Sequence, residues 1–443
     1  MTAHLLLASQ PRHLALKHSD KETRPIGGPT CNAKHQFLRQ SAARLGLSLL
    51  LALASNHLAH ADGPTDSEMG ETRLKLGGEL RSRLDLSFHD TNNSGRRETL
   101  SRLSFDTLVI TENLTSDQIT SSAQYQFFGY YYPYDTKDYR RVFGEVSFLK
   151  FAWLGWTEEN NTKIIFGIHQ IPFGLQPLLS STYNGTIGYY IGLEDVYDFG
   201  LSYNYIGDDI IFRFGFFPRD GGNYFGASRD STRYSVNLVK QDTPGGGGTD
   251  SSENNVGVIN VAYAWTDNDN STTLGVSSMA SQIHNFDTAK TGSRWAAAIY
   301  YSGTYGDLGV SAQVARQDIN PASQQDNRVV TVGSFDGSYN IATKGTLYTL
   351  DIRHSIDDIP NIAKAITPYI SYSLFNKDAS FSDSQRIIVG ITGSVADYVN
   401  LYLEYRIAMN DNFTGSSNYL NGLAGGGTNK WGSMIYANAA LPF

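Results

Sequence analysis

The segment Lys430 to Phe443, KWGSMIYANAALPF, decides how the chain reads. Trp431, Ser433, Ile435, Ala437, Ala439, Leu441 and Phe443 fall on one face of an extended strand, mostly apolar and ended by aromatic rings. Lys430, Gly432, Met434, Tyr436, Asn438, Ala440 and Pro442 fall on the other, more polar face. Such a strand fits a transmembrane β-barrel, with apolar side chains toward lipid, polar ones toward the lumen and aromatic rings at the interfaces. It fits equally the edge of a soluble sandwich, so the rest of the chain has to discriminate.

The opening strand discriminates. From Leu74 to His89 apolar and polar residues alternate, placing Lys75, Glu79, Arg81, Arg83 and Asp85 on one face and Leu76, Leu80, Leu84 and Leu86 on the other. This is longer than the 5–6 residues or so of an ordinary strand. Composition agrees. The 443 residues include 27 Tyr, 22 Phe and 43 Gly but only 13 Pro and 5 Met. No apolar run approaches the roughly 18 residues of a spanning helix. A mean hydropathy of −0.30 suits a barrel with a polar lumen and polar loops.

The first 61 residues read differently. Lys34, Arg39 and Arg44 precede the apolar run 45–54, and Ala59-His60-Ala61 gives a small-x-small cleavage site, the pattern of a secretory signal peptide with cleavage after Ala61. Residues 62–73 are then a short periplasmic segment and 74–443 the barrel. The single cysteine, Cys31, lies in the leader, so the remainder has no disulfide framework, thiol nucleophile or zinc–thiolate site. The net charge of −8 for the whole chain gives no basic face for nucleic acid.

Strand-like stretches recur through the chain, and their connections alternate between short and long when counted back from the C-terminus. Asp397-Tyr398 and Tyr305-Gly306 are tight, whereas 410–429 and 318–343 are long. The forward and backward counts agree at sixteen strands if 219–254 is one long loop. They give eighteen if Thr232–Lys240 and a partner such as Arg328–Phe335 also span. The fold class expected is all-β, a transmembrane antiparallel barrel. Segment 172–197 is too long for a hairpin loop and too apolar for an exposed one.

Gly167-Ile168-His169-Gln170-Ile171-Pro172-Phe173-Gly174-Leu175 resembles the G-x-x-x-x-P-F-G-L segment of Gram-negative trimeric porins, the phosphate-selective porin O/P group in particular. Arg81 and Arg83 before it, Ser180-Ser181 and Gly192-Leu193-Glu194-Asp195 after it, and the C-terminal Phe443 extend the likeness. The resemblance implies a homotrimeric outer-membrane barrel that passes small hydrophilic solutes or ions, with 172–197 folded into the lumen as a constriction loop. It implies no enzyme activity and no cofactor. Phosphate channels of that group carry many lumen Arg and Lys, and a long basic ladder cannot be assembled from this chain.

A water-filled pore discriminates by width and by the charge of its wall. Alternation puts Arg81, Arg83, Arg102, Lys163, Arg213, Arg353 and Arg406 inward, with Asp106, Asp351 and Glu404 also inward and Glu194 and Asp195 on the folded loop. A basic wall facing an acidic loop sets a transverse field; the same residues can also be ordinary solvated charges paired across strands. Tyr130–Tyr134 reads as an interfacial aromatic group or a sugar-stacking track. No His/Asp/Glu set has metal-ligand spacing, and Gly-x-Ser-x-Gly is absent. A barrel enzyme or an adhesin is the alternative to a diffusion channel.

Overall fold

The computed structural model describes residues 72–91, 97–129, 143–158, 161–243, 248–324, 326–359, 363–395, 398–414 and 419–443. The leader, the 62–71 stretch, Tyr130–Tyr134 and the Asn92–Arg96 turn lie outside the described residues. The side chain of Arg102 also lies outside them, although its backbone is placed opposite Asp85.

The wall is built from β1 (Arg73–Thr91), β2 (Arg97–Thr115), β3 (Ile119–Phe128), β4 (Val146–Glu158), β5 (Thr162–Gln170), β6 (Tyr197–Ile206) and β7 (Ile210–Asp220). After a short β8 (Asn237–Leu238) it continues with β9 (Ser251–Asp267), β10 (Asn270–Asn285), β11 (Lys290–Tyr305) and β12 (Leu308–Asn320). Two further strands, β13 (Val329–Ser334) and β14 (Gly337–Ala342), stand apart from the wall. The wall ends with β15 (Lys344–His354), β16 (Ile356–Ile359), β17 (Ala363–Lys377), β18 (Ser384–Val395), β19 (Val399–Met409) and β20 (Trp431–Pro442). Every pairing is antiparallel, and the sheet closes because β1 pairs with both β2 and β20. Of its seventeen strands, β15 and β16 run end to end against β17, so the barrel has sixteen staves. Closure satisfies the backbone of every stave, which a sheet in hydrocarbon requires.

Alternation sets the two surfaces. Leu154, Phe166, Leu201, Phe214, Ile259, Ile299 and Leu403 are exposed on the outside. Trp156, Tyr203, Tyr263, Trp265 and Tyr305 ring the outside near the short turns, and Phe286, Trp295 and Trp431 lie outward near the long loops. Two aromatic belts flanking an apolar band are the exterior a bilayer selects. Short turns such as 207–209, 268–269 and 306–307 mark one end; 171–196, 221–250, 321–343 and 410–430 mark the other. The connection 286–289 at that same end is only four residues long, because β10 and β11 stay paired out to Asn285 opposite Lys290.

The two stretches that would have raised the count to eighteen instead pair with each other. Val332 lies opposite Leu238 and Gly333 opposite Asn237, and with β14 they form a separate three-stranded sheet. All of β13 is buried. Leu238, Val330, Val332, Tyr339 and Ile341 pack with Ile187, Tyr189 and Leu193 and with wall residues Val256, Val258, Met279, Ile283 and Phe375 in one apolar core. Simple alternation expects a polar lumen face throughout. On these wall strands the inward face turns apolar because it meets chain rather than water.

Candidate functional site

Segment 171–196 leaves the wall at the end of β5 and crosses the interior. Gly167, with φ of +123°, sits just before that exit; a Cβ there would meet the Ala152 carbonyl oxygen at 2.4 Å, so only glycine fits. The segment is then held by its own backbone. Gly174 N–H donates to Ser277 Oγ on β10 at 2.8 Å, and Leu175 N–H to Gln313 Oε1 on β12 at 3.2 Å. Ser181 N–H and Oγ donate to the two carboxylate oxygens of Asp351 on β15 at 3.0 and 2.8 Å. Tyr183 N–H donates to Glu404 on β19 at 2.7 Å, and Ile187 N–H to Ser373 on β17 at 3.2 Å. A single turn of helix, α1 (Ile187–Tyr190), is capped by Thr186, whose Oγ1 accepts from Gly188 N–H at 2.9 Å. The inward carboxylates of Asp351 and Glu404 are therefore occupied by backbone donors of this segment.

The other charges pair locally. Arg81 donates to Glu79 at 2.7 Å. Arg83 forms two bonds to Asp85, at 2.8 and 3.0 Å, and lies 3.9 Å from Asp106. Asp106 also accepts from Tyr183 Oη at 3.2 Å and from Asn438 Nδ2 at 3.3 Å. Arg406 is buried, donates through Nε to Glu404 at 2.7 Å and stands 4.4 Å over the Tyr436 ring. On the segment, Asp195 accepts from Tyr234 Oη at 2.5 Å and lies 3.6 Å from Lys150 Nζ. Glu194 accepts only from Thr186 Oγ1, at 2.7 Å, while its Oε1 is buried with no hydrogen-bond partner. Burial pushes the Glu194 carboxyl up to about 7; the Thr186 bond opposes the shift and the charge of Asp195 adds to it.

Three of the expected residues stand elsewhere. Lys163 lies two residues into β5, with Nζ 4.6 Å from the Trp153 ring centre. Arg213 faces inward on β7 opposite Asn204 and Asn260. Arg353, near the end of β15, donates weakly to Ser311 Oγ at 3.4 Å and lies 3.7 Å from the already engaged Asp351.

Three further cations belong to the same interior. Lys150 donates to Tyr234 Oη at 3.0 Å. Arg294 pairs with Glu253 at 3.0 Å and donates to the Gly192 carbonyl at 2.8 Å. Arg386 pairs with Asp411 at 2.6 Å and donates to the Gly185 carbonyl at 3.1 Å. Alternation puts Arg294 and Arg386 on polar inward faces, a signal available in the sequence. That both would tie the crossing segment is a tertiary fact with no local signature.

Between the segment and the β1–β4 side of the wall lies a cavity of about 330 Å³. Arg81, Arg83, Lys150, Gln124 and Gln126 line one side; Tyr183, Asn184 and Asp195 line the other. A second space of about 330 Å³ lies beneath the segment, against Ser302, Ser311 and Arg353.

No protein-family model matches the sequence, and no curated protein is similar to it. Solved structures do share the fold. An anion-selective porin from Comamonas acidovorans aligns with a TM-score of 0.51 at 15% identity, over 84% of this chain and 100% of that one. The outer membrane channel DcaP of Acinetobacter baumannii aligns with a TM-score of 0.53 at 11% identity, over 86% of this chain and 100% of that one. At these identities the likeness is one of architecture.

Proposed function

We propose that the chain forms a water-filled channel in an outer membrane, through which small hydrophilic solutes or ions diffuse passively. The observation that carries this reading is the cavity of about 330 Å³ inside a closed barrel whose exterior is apolar. A barrel that only anchored an enzyme or presented loops needs no internal space lined by charged and amide side chains. The fold shared with an anion-selective porin and an outer membrane channel agrees with this assignment.

On this reading 171–196 is the constriction. Arg81, Arg83 and Asp106 line the passage on the wall side, and Glu194 and Asp195 face it from the segment. Lys163, Arg213, Arg353 and Arg406 complete the charged interior. A leader ending at Ala61 would deliver the chain across the inner membrane, and three copies would assemble as the resemblance to trimeric porins implies. Phosphate is not favoured as the solute, because Arg81, Arg83 and Lys150 each have a carboxylate within 4 Å or so.

Single-channel recording of the purified protein in planar bilayers tests the reading. Stable conductance steps are expected, grouped in threes for a trimer. A correctly folded barrel that passes no current overturns it.

A further inference from the structure

We propose that this channel prefers anions, and that the preference is set below the crossing segment, at the short-turn end, by Lys163, Arg213 and Arg353. The proposal rests on the channel reading and adds where selection occurs and what charge it favours.

The argument begins with pairing. At the level of the segment six inward cations each have a carboxylate within 4 Å. Arg81 has Glu79 at 2.7 Å, Arg83 has Asp85 at 2.8 Å, and Lys150 has Asp195 at 3.6 Å. Arg294 has Glu253 at 3.0 Å, Arg386 has Asp411 at 2.6 Å, and Arg406 has Glu404. A close ion pair presents a dipole, whose field decays faster with distance than that of a single charge. Close pairing at the level of the segment therefore leaves each of these cations with little field of its own.

Below that level the balance changes. Lys163 is the second residue of β5, and the flanking Ile164 and Thr162 lie outward with Trp156, which places its side chain inside with Trp153. A Cβ on Gly155 would meet Lys163 Cε at 2.6 Å, confirming the direction. Its contact is an aromatic face, which leaves the positive charge uncancelled. Arg213 is the fourth residue of β7, between outward Phe212 and Phe214. Among the described residues neither Lys163 nor Arg213 has a carboxylate at ion-pair distance. Arg353 faces Gly309, the second residue of β12. Its neighbour Asp351 has both oxygens engaged by Ser181. Arg353 is the one charged side chain on the 330 Å³ space beneath the segment, which is otherwise lined by serines, Gln176 and apolar groups.

The three cations stand on β5, β7 and β15, each within a few residues of a short turn, and so line one half of the interior at this end. Among the described residues the exposed acids of this end, Asp117, Glu158, Asp208, Asp209, Asp267, Asp269, Asp307 and Asp357, lie at or beside the turns. There, water and salt screen them over about 8 Å at physiological ionic strength. Charges inside a low-dielectric wall are screened less and focus their field along the lumen. Lys163 and Arg213 in that position, helped by Arg353, whose pair with Asp351 is a long 3.7 Å, concentrate chloride and small carboxylates at this mouth and deplete potassium.

The test measures the chloride-to-potassium permeability ratio of the full-length channel from the reversal potential under a KCl gradient. The parent is expected to favour chloride. The triple variant Lys163→Gln/Arg213→Gln/Arg353→Gln is expected to lose at least about threefold in the ratio. Charge-keeping changes Lys163→Arg, Arg213→Lys and Arg353→Lys are expected to retain it. Removing an exposed couple together, Asp326→Asn with Arg328→Gln, is expected to leave it unchanged. Heat-modifiable gel migration shows that each variant has folded. A conducting parent that does not favour chloride, or one whose ratio the triple variant leaves unchanged, overturns this inference alone. A folded parent that conducts nothing overturns the channel reading and this inference with it.

Discussion

Gly78 and Phe443 exchange both of their backbone hydrogen bonds, each 3.0 Å long. The last residue of the chain thus completes the seam between β20 and β1. A Cβ at Gly78 would meet the Val109 carbonyl oxygen at 2.1 Å and the Phe443 ring at 2.7 Å.

From that seam follows a first prediction. Gly78→Val forces backbone apart where the barrel closes. The variant is expected to lose heat-modifiable migration at a temperature well below the parent, whereas Gly257→Ala, whose Cβ would meet nothing closer than 4.0 Å, is expected to shift it little. Equal melting of the two variants would count against the seam as the weak point.

A second prediction concerns the anchors of the crossing segment. Glu404 holds Tyr183 N–H and Tyr369 Oη at 2.7 and 2.8 Å, and Asp351 holds Ser181 twice. The double change Asp351→Ala/Glu404→Ala removes these four hydrogen bonds to charged acceptors, each worth about 1.5–3 kcal/mol, together with the pair that Glu404 makes with the buried Arg406. The segment is expected to loosen. Recordings should then show larger and noisier conductance, with the wall intact by circular dichroism.

The third prediction is a pH dependence. The Glu194 carboxyl, raised by burial from 4.5 to about 7, binds its proton more tightly in the folded chain than in the unfolded one. Its contribution is therefore fully present below about pH 4.5 and is lost as the pH rises through about 7. Denaturant midpoints followed by tryptophan fluorescence should fall over that window. Glu194→Gln, which stays neutral, should flatten that part of the profile.

The buried pair of Arg386 and Asp411 gives a fourth. Removing one partner leaves a charge uncompensated in the interior, at a cost of about 3–5 kcal/mol. Arg386→Met should destabilise the fold sharply. Joining it with Asp411→Leu should recover part of the loss, measured by denaturant unfolding in detergent.

Much of the barrel was legible because strands facing lipid and lumen leave a two-residue period. Leu74 to His89 and Trp431 to Phe443 announce it directly. The parity of long and short connections then narrowed the count to sixteen or eighteen staves. The inner sheet was half legible: Thr232–Lys240 and Arg328–Phe335 could be picked out as strand-like. Their partnership with each other could not, because pairing between distant loops has no periodic signature. Reading by alternation picked out Arg81, Arg83, Lys163, Arg213, Arg353 and Arg406 but passed over Lys150, Arg294 and Arg386. Which of them are cancelled depends on neighbours such as Glu79, Asp85 and Asp195, and on Asp351 and Glu404 being taken by backbone N–H groups. Those are matters of register and loop path, which residue type does not encode.

The pairing of charges also bears on how sequences of this kind can diverge. Arg294 with Glu253 and Arg386 with Asp411 are locked couples, so a change at one member persists only when its partner changes too. Lys163 and Arg213 share no such bond and can be exchanged one at a time. Related chains should therefore show correlated substitution at the level of the crossing segment and independent drift near the short turns, with solute preference free to wander while the architecture stays put.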